Sequence, residues 1–364
     1  MAEDTIEVGI LRADEVAQVN DLFNSAYHAG RNATKFAWEF NNAPAGAAIY
    51  VVARDAATKQ VIGTQCAIPI NLVDSEGNVY RTAKSEDTLL NPAYRGKKVF
   101  DRMYALLFEE CRKNGILYIW GFTSAQKPFL KIGFDIPYSH SQSLWVKGIG
   151  PSYTYLASLN TQNTVASKLK ILGLCLAAKT KAIVSSSALL KNYTVEVLGK
   201  DAVIDNQQLI NQQFAPGSGL YAINQNPGFL AWRIKDNPYH GKLYNITFSN
   251  ATGLAAHIII NYHKNGVWYL TTDIYAHTVS AAERTAMLRQ AIAEVCKRED
   301  NVALIRTWDF THNAYNMAEV QARSKAGFVH LNRGIQFVWK NLDPANTLKA
   351  DDFVLSRIAS QGMV

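Results

Sequence analysis

The segment Leu89-Leu90-Asn91-Pro92-Ala93-Tyr94-Arg95-Gly96-Lys97-Lys98-Val99-Phe100 has the residue types of an anion cradle. It joins a strand, read over Val79–Leu90, to a helix read over Phe100–Asn114. That helix has Met103, Leu106, Leu107 and Cys111 at helical spacing and Gly115 as its stop. A helix start exposes unpaired backbone N–H groups at the positive end of the macrodipole. Arg95, Lys97 and Lys98 surround this start with cationic side chains, and Gly96 lets a ligand approach the backbone. An ordinary helix start prefers acids, so basic residues here argue for a bound pyrophosphate rather than for solvent.

Two carboxylates precede the loop on the same strand. Glu86 or Asp87 could serve as a general base, which must lie within reach of the proton it takes. Period-2 alternation sends Thr82, Lys84, Glu86 and Thr88 to one face and Ser85 and Asp87 to the other. Only one of the pair can therefore face a given cleft unless the strand is bulged, and Glu86 is the expected one. His140 is a reserve candidate. There is no H-E-x-x-H, no G-x-S-x-G, no Walker loop and no G-x-G-x-x-G after a strand. The four cysteines, Cys66, Cys111, Cys175 and Cys296, lie far apart and fit reduced, buried thiols, so no metal is expected.

The elements that must position these groups occur twice. Ala37-Trp38 and Pro44 return as Ala231-Trp232 and Pro238 at an offset of 194 residues. The same offset carries Lys131 to Lys325, Gly133-Phe134 to Gly327-Phe328, and Trp145 to Trp339. Trp120-Gly121-Phe122 is echoed by Trp308-Asp309-Phe310 at an offset of 188. The chain is thus read as copy one (1–147), a basic helical linker (148–192), copy two (193–343) and a tail (344–364). Each copy reads as a mixed α/β unit. In copy one, strands are expected over Ile6–Leu11, Ala48–Arg54, Val61–Asn71, Val79–Leu90, Ile116–Phe122 and Ser143–Val146, and a helix over Asp14–Tyr27 with Asp14 as its cap.

The run Asn91-Pro92-Ala93-Tyr94-Arg95-Gly96-Lys97 resembles the pyrophosphate-loop motif of the GNAT superfamily of acyl-CoA-dependent N-acyltransferases, roughly V-x-P-x-Y-R-G-K-G-x-G. Phe129-Leu130-Lys131-Ile132-Gly133-Phe134 is similar to that family's downstream Y-x-x-x-G-F element. The resemblance implies two tandem GNAT-like domains of mixed α/β sheet. It implies that Leu89 and Leu90 pair with a pantetheine arm, and that Arg95, Gly96, Lys97, Lys98, Val99 and Phe100 cradle the pyrophosphate of acetyl-CoA. Glu86 or Asp87 would then help deprotonate an amine acceptor, a small molecule such as an amino sugar. Two departures stand out: Lys98 replaces the second glycine, and Phe129 replaces a tyrosine that in many relatives protonates the leaving thiolate. They motivate an alternative in which the fold binds without catalysing. A Fem-like aminoacyl transferase, which also uses tandem copies, is a further alternative that the Arg-Gly-Lys loop disfavours. In copy two, Val267–Tyr275 runs into a helix through Ser280 and Glu283 with no such loop, so copy two is not expected to bind CoA.

Composition agrees with a globular chain: 48% of residues are hydrophobic and 18% charged. The net charge of +7 suits an anionic partner, but no module for nucleic acid is present. Between Ile136 and Val195 there is no Asp or Glu, while six lysines occur there. Ile171–Ala178 is apolar with Lys168, Lys170, Lys179 and Lys181 around it, so the linker could bridge the copies or lie on an anionic membrane surface. No run of about 18 apolar residues is present, and the acidic start resembles no secretory signal, so a cytoplasmic location is expected.

Overall fold

A computed structural model describes residues 5–162, 164–182, 190–202, 204–239, 241–332 and 334–360. The expected linker is therefore described without residues 163 and 183–189, and the tail without 361–364. The first part of the chain contributes β1 (Ile6–Ile10), β2 (Ile49–Asp55), β3 (Val61–Asp74), β4 (Val79–Leu90), β5 (Tyr118–Thr123) and β6 (Ser141–Val146). The second contributes β7 (Thr194–Leu198), β8 (Tyr221–Ile223), β9 (Leu243–Asn250), β10 (Gly253–Lys264) and β11 (Val267–Tyr275). It continues with β12 (Leu304–Asp309), β13 (Val329–Leu331), β14 (Gln336–Asn341) and β15 (Phe353–Val354).

These strands form two mixed sheets, and the copies exchange their last strands. The first sheet runs β1-β2-β3-β4-β5-β14, with β8 on the far part of β3 and β15 on β8. The second runs β13-β6-β12-β11-β10-β9-β7. Thus β14 closes the outer edge of β5 antiparallel, while β6 closes that of β12. Each exchanged strand carries a repeated tryptophan: Trp339 lies opposite Trp120, and Trp145 lies opposite Ile305. The register therefore corrects one sequence correspondence, because Ile305 and not Trp308 occupies the place of Trp120. Counted from Ile305, copy two has nine more residues before Gly327 than copy one has between Trp120 and Gly133, and six of them lengthen a helix, which is Ala314–Lys325 in copy two against Gln126–Lys131 in copy one.

The first sheet buries both faces. On one face Val51, Ala53, Ala67 and Ala83 pack on Val99, Met103 and Leu107 of the helix Val99–Lys113. On the other, Val52, Cys66, Ile68 and Trp120 join a core shared with Trp232, Ile259, Phe310 and Phe337 of the second half. The centre of that shared core has approximate two-fold symmetry. Asn32 caps Ala33–Phe36 by accepting from the Lys35 N–H, and Asn226 caps Pro227–Leu230 by accepting from the Phe229 N–H. Each short helix runs into a wide turn of π type, Ala37–Asn41 and Ala231–Lys235. Trp38 Nε1 donates to the Trp232 carbonyl at 2.7 Å, and Trp232 Nε1 returns the bond to the Trp38 carbonyl at 2.7 Å. The rings stack with centroids 5.9 Å apart.

Two helices, Ile149–Ser158 and Val165–Ala182, pack on each other between β6 and β7, the second also against β6 and β13. The first long helix is Val16–Tyr27, and the residue before it is Glu15, not Asp14. Glu15 is drawn inward because its carboxylate pairs with the buried Arg54 guanidinium, while Asp14 stays exposed beside Arg12. The C-terminal segment seals the shared core with Phe353, Leu355, Ile358 and Ala359.

Trp38→Phe leaves the buried Trp232 carbonyl without its donor. The expected loss is about 1–3 kcal/mol of unfolding free energy, read by urea titration, with Trp232→Phe non-additive because the two bonds form one unit.

Candidate active site

β4 and β5 are paired in parallel only at Ala83–Ile119 and Lys84–Trp120 among the described residues, and then part. Gly121 permits their last close approach, since a Cβ there would lie 3.0 Å from the Ser85 carbonyl oxygen. Beyond that point a cavity of about 960 Å³ opens between them. One end is walled by Leu89, Leu90, Arg95, Gly96, Lys98, Val99 and Phe100, with Ser124–Lys131 residues opposite. The other end is walled by Phe23, Tyr27, Glu39, Glu86, Asp87 and Phe122. Ile335 and Val338 on the exchanged strand of copy two, or just before it, complete the wall. The cavity therefore runs through the sheet, from the loop side to the side of the helix Val16–Tyr27.

A bulge interrupts β4 where the carboxylates lie. Thr64 faces Leu89 and Cys66 faces Glu86, so β4 spends one residue more than β3, and Asp87 takes the left-handed φ of 54°. This corrects the simple alternation: Asp87 is turned to the face already occupied by Lys84 and Glu86. Its side chain is almost fully buried and bonded to Arg31 Nη1 at 2.9 Å and to the Tyr50 hydroxyl, both through Oδ2. Oδ1 is buried with no hydrogen-bond partner. Burial pushes the Asp87 carboxyl above its ordinary value, outweighing the pull of Arg31 and of the Tyr50 hydrogen bond. Arg31 is itself held by Asn20 at 2.8 Å and lies over the Phe23 ring. Glu86 is partly exposed and pairs with Lys84, whose ammonium burial pushes well below the usual lysine range, with the nearby Arg233 charge adding to the effect.

At the loop end, Asn91 accepts from the Ala93 N–H to start the turn Pro92–Tyr94. Gly96 has φ 79° and Lys98 has φ 56°, so the chain makes two left-handed steps before the helix. A glycine at the second would be unstrained, which is the physical sense of the departure at Lys98. No side chain caps the helix Val99–Lys113, so its first N–H groups remain available to an anion. Lys97 does not line the cavity; its ammonium lies over the Tyr94 ring, 5.1 Å from the centroid. Phe129 packs edge-on against Tyr104, whose hydroxyl meets Ser85 Oγ at 2.9 Å and Thr88 Oγ1 at 3.3 Å. His140 lies away from the cavity, stacked on Trp308, and burial lowers it to about 4. Tyr94 donates to Asp55 and Tyr138 to the Ala350 carbonyl, so neither reaches the site.

Copy two has the same parting of strands and fills it. β11 pairs with β12 only over Val267–Tyr269 among the described residues. Beyond it, Arg323 bridges Asp273 at 2.6 Å and Asp309 at 2.9 Å. Ser356 of the C-terminal segment covers Thr272, and the remaining space is about 20 Å³. The helix Ala281–Arg298 opens with a complete capping box of Ser280 and Glu283, which takes the N–H groups of both residues and puts a carboxylate at the helix start.

Residues 7–136 match a family described as the acetyltransferase (GNAT) domain. The match lies within copy one and covers the basic loop and both carboxylates. No curated protein matches the chain. Among solved structures, it is similar to a tandem GNAT protein from the clavulanic acid biosynthesis pathway, at 16% identity and TM-score 0.56, over 94% of this chain and 100% of that one. A probable N-acyltransferase from Enterococcus faecalis V583 aligns at 10% identity and TM-score 0.61, over 93% of this chain and 73% of that one. Saccharomyces cerevisiae N-myristoyltransferase with bound myristoyl-CoA aligns at 11% identity and TM-score 0.58, over 96% and 87%. The likeness is one of fold: both copies are GNAT-like, and they stand in tandem.

The sequence pointed to the GNAT loop, and to the Trp38-Glu39 element as a core anchor or a cleft wall, but not to Arg31, Tyr50, Ser85 or Tyr104, which reach the carboxylates or the cavity wall only through tertiary packing. No local pattern marks them. Two outcomes are expected. Lys98→Gly removes a left-handed lysine and raises stability by about 0.5–1 kcal/mol in urea titration. His330 donates to Asp309 at 2.9 Å, which raises its pKa above the ordinary 6.5. That bond stabilises fully below pH 6.5 and is lost as pH rises through the raised value. The stability gap between the native protein and His330→Gln should therefore shrink toward alkaline pH.

Proposed function

We propose that the GNAT domain of copy one transfers an acetyl group from acetyl-CoA to a primary amine by direct attack, and that copy two is structural. The observation that carries this is Asp87, a residue of the cavity wall with one buried carboxylate oxygen, Oδ1, left without a partner, while the cavity's other end is a cationic, uncapped helix start. The residues present fit an acyl-CoA. Arg95, Lys98 and the first N–H groups of the helix Val99–Lys113 would hold the pyrophosphate, and the β4 edge at Leu89 and Leu90, unpaired on the β5 side, would hold the pantetheine arm. Lys97 would act at the loop's outer rim.

Asp87 accepts the proton of the incoming ammonium, with Arg31 and Tyr50 fixing the other carboxylate oxygen. Its raised pKa suits it to take that proton. Glu86, beside it, holds the acceptor's charge. As the new C–N bond forms and the C–S bond breaks, the departing thiolate needs a proton, and Phe129 cannot give one. The Ser85 hydroxyl on the cavity wall, bonded to the Tyr104 phenol, is the donor at that end, and the second proton that the acceptor nitrogen loses on becoming the amide restores that hydroxyl. Three carboxylates among Phe23, Tyr27 and Phe122 suit a small cationic amine with an apolar face, and an amino sugar meets both terms. Free cysteines and a CoA donor support a cytoplasmic setting.

Calorimetric titration with acetyl-CoA tests the reading, with thiol release measured over a panel of amines. One equivalent per chain is expected, weakened by Arg95→Ala with Lys98→Ala. Asp87→Asn should keep donor binding and lower kcat by roughly 10²–10⁴. Two equivalents, or none, would sink the assignment of copy one as the sole donor site. Faster thiol release from a longer acyl-CoA would replace acetyl as the donor group.

A further inference from the structure

The reaction makes no use of the helix Val165–Ala182, yet its outer face is unusual. Val165, Leu169, Leu172 and Leu176 are 74%, 62%, 38% and 47% exposed. Alternating steps of four and three residues set them in one line along the helix. The opposite side is already used, with Cys175 and Ala178 buried. Lys168 lies one turn before Leu172 and Lys179 one turn after Leu176, so both border the apolar line. Lys170 is exposed on the other flank, while Lys181 is engaged by Ser324 Oγ at 2.7 Å. The sequence offers no acid to offset them anywhere between Ile136 and Val195.

We propose that this face is a docking surface for an anionic lipid bilayer. The four apolar side chains enter the headgroup–acyl boundary, and Lys168, Lys170 and Lys179 meet the lipid phosphates. An apolar line with cationic borders is the pattern that lies in the plane of a membrane interface. Spanning is a different matter, since no helix among the described residues is long and apolar enough to cross. A second copy of the chain is the weaker occupant, because pairing two such faces would set lysine rows against each other with no acid from this segment between them. The lipid supplies the missing negative charge.

Vesicle flotation of the full chain decides it, using phosphatidylcholine with and without phosphatidylglycerol. Co-flotation is expected only with the anionic vesicles, and added salt should weaken it. Lys168→Glu with Lys179→Glu should lower partitioning on the order of tenfold or more. Leu169→Gln with Leu172→Gln should abolish it, with an unchanged thermal midpoint because both side chains are exposed. Absence of flotation with anionic vesicles, or flotation indifferent to both variants, would overturn the proposal. So would a concentration-dependent dimer that the leucine variant dissolves, since the face would then belong to a second copy.

Discussion

β5 has two edges, and its fate sets the form of the site. Along one edge it holds β4 for two residues and then leaves it, so that backbone groups on both strands face an opening instead of each other. A strand so weakly held on one side needs a full partner on the other. β14 supplies it over six residues, from Gln336–Thr123 to Asn341–Tyr118, and brings Val338 into the cavity wall. Because β14 belongs to copy two, the cavity of copy one is complete only in the tandem chain. The reciprocal loan of β6 to β12 binds the copies in both directions, and the paired indoles of Trp38 and Trp232 fix their shared centre.

The same parting of strands has opposite outcomes in the two copies, and buried charge decides which. In copy two, Arg323 lies between Asp273 and Asp309 and satisfies both, so the gap closes on itself. Desolvating such a network is expensive, but its members repay one another through direct pairing. In copy one, Arg31 reaches only one oxygen of Asp87, and the other is buried without a partner in a residue that lines a large cavity. An unpaired buried carboxylate oxygen is unfavourable by itself, and a substrate N–H, on the proposed reading, would complete it. The bulge at Asp87 is what turns this group to the cleft.

The loop end shows how local strain and electrostatics serve one purpose. Left-handed Gly96 and Lys98 swing the chain from strand to helix while leaving the first helical N–H groups uncapped. At the matching point of copy two, Ser280 and Glu283 cap those groups. One helix start is thus uncapped, and the other already holds a carboxylate of its own. Lys98 keeps a cation at the cavity wall where a glycine would be the relaxed choice.

The sequence by itself determined the tandem repeat, the mixed α/β character, the span of β4 and the basic loop ahead of a helix. These are local or periodic signals: rare tryptophans at a constant offset, apolar spacing, and basic residues where acids are the norm. It also located Glu86 and Asp87, but not the face that each takes. Only tertiary structure decided the bulge at Asp87, because a bulge is a mismatch between β3 and β4 and neither strand shows it alone. Tertiary pairing likewise decided that Arg31 and Tyr50 hold Asp87, that Lys97 turns to Tyr94, and that Ile305 rather than Trp308 stands in for Trp120. The strand exchange was equally out of reach, since β6 and β14 present the same edge chemistry to either sheet. Which sheet each strand joins depends on the packing of the whole chain.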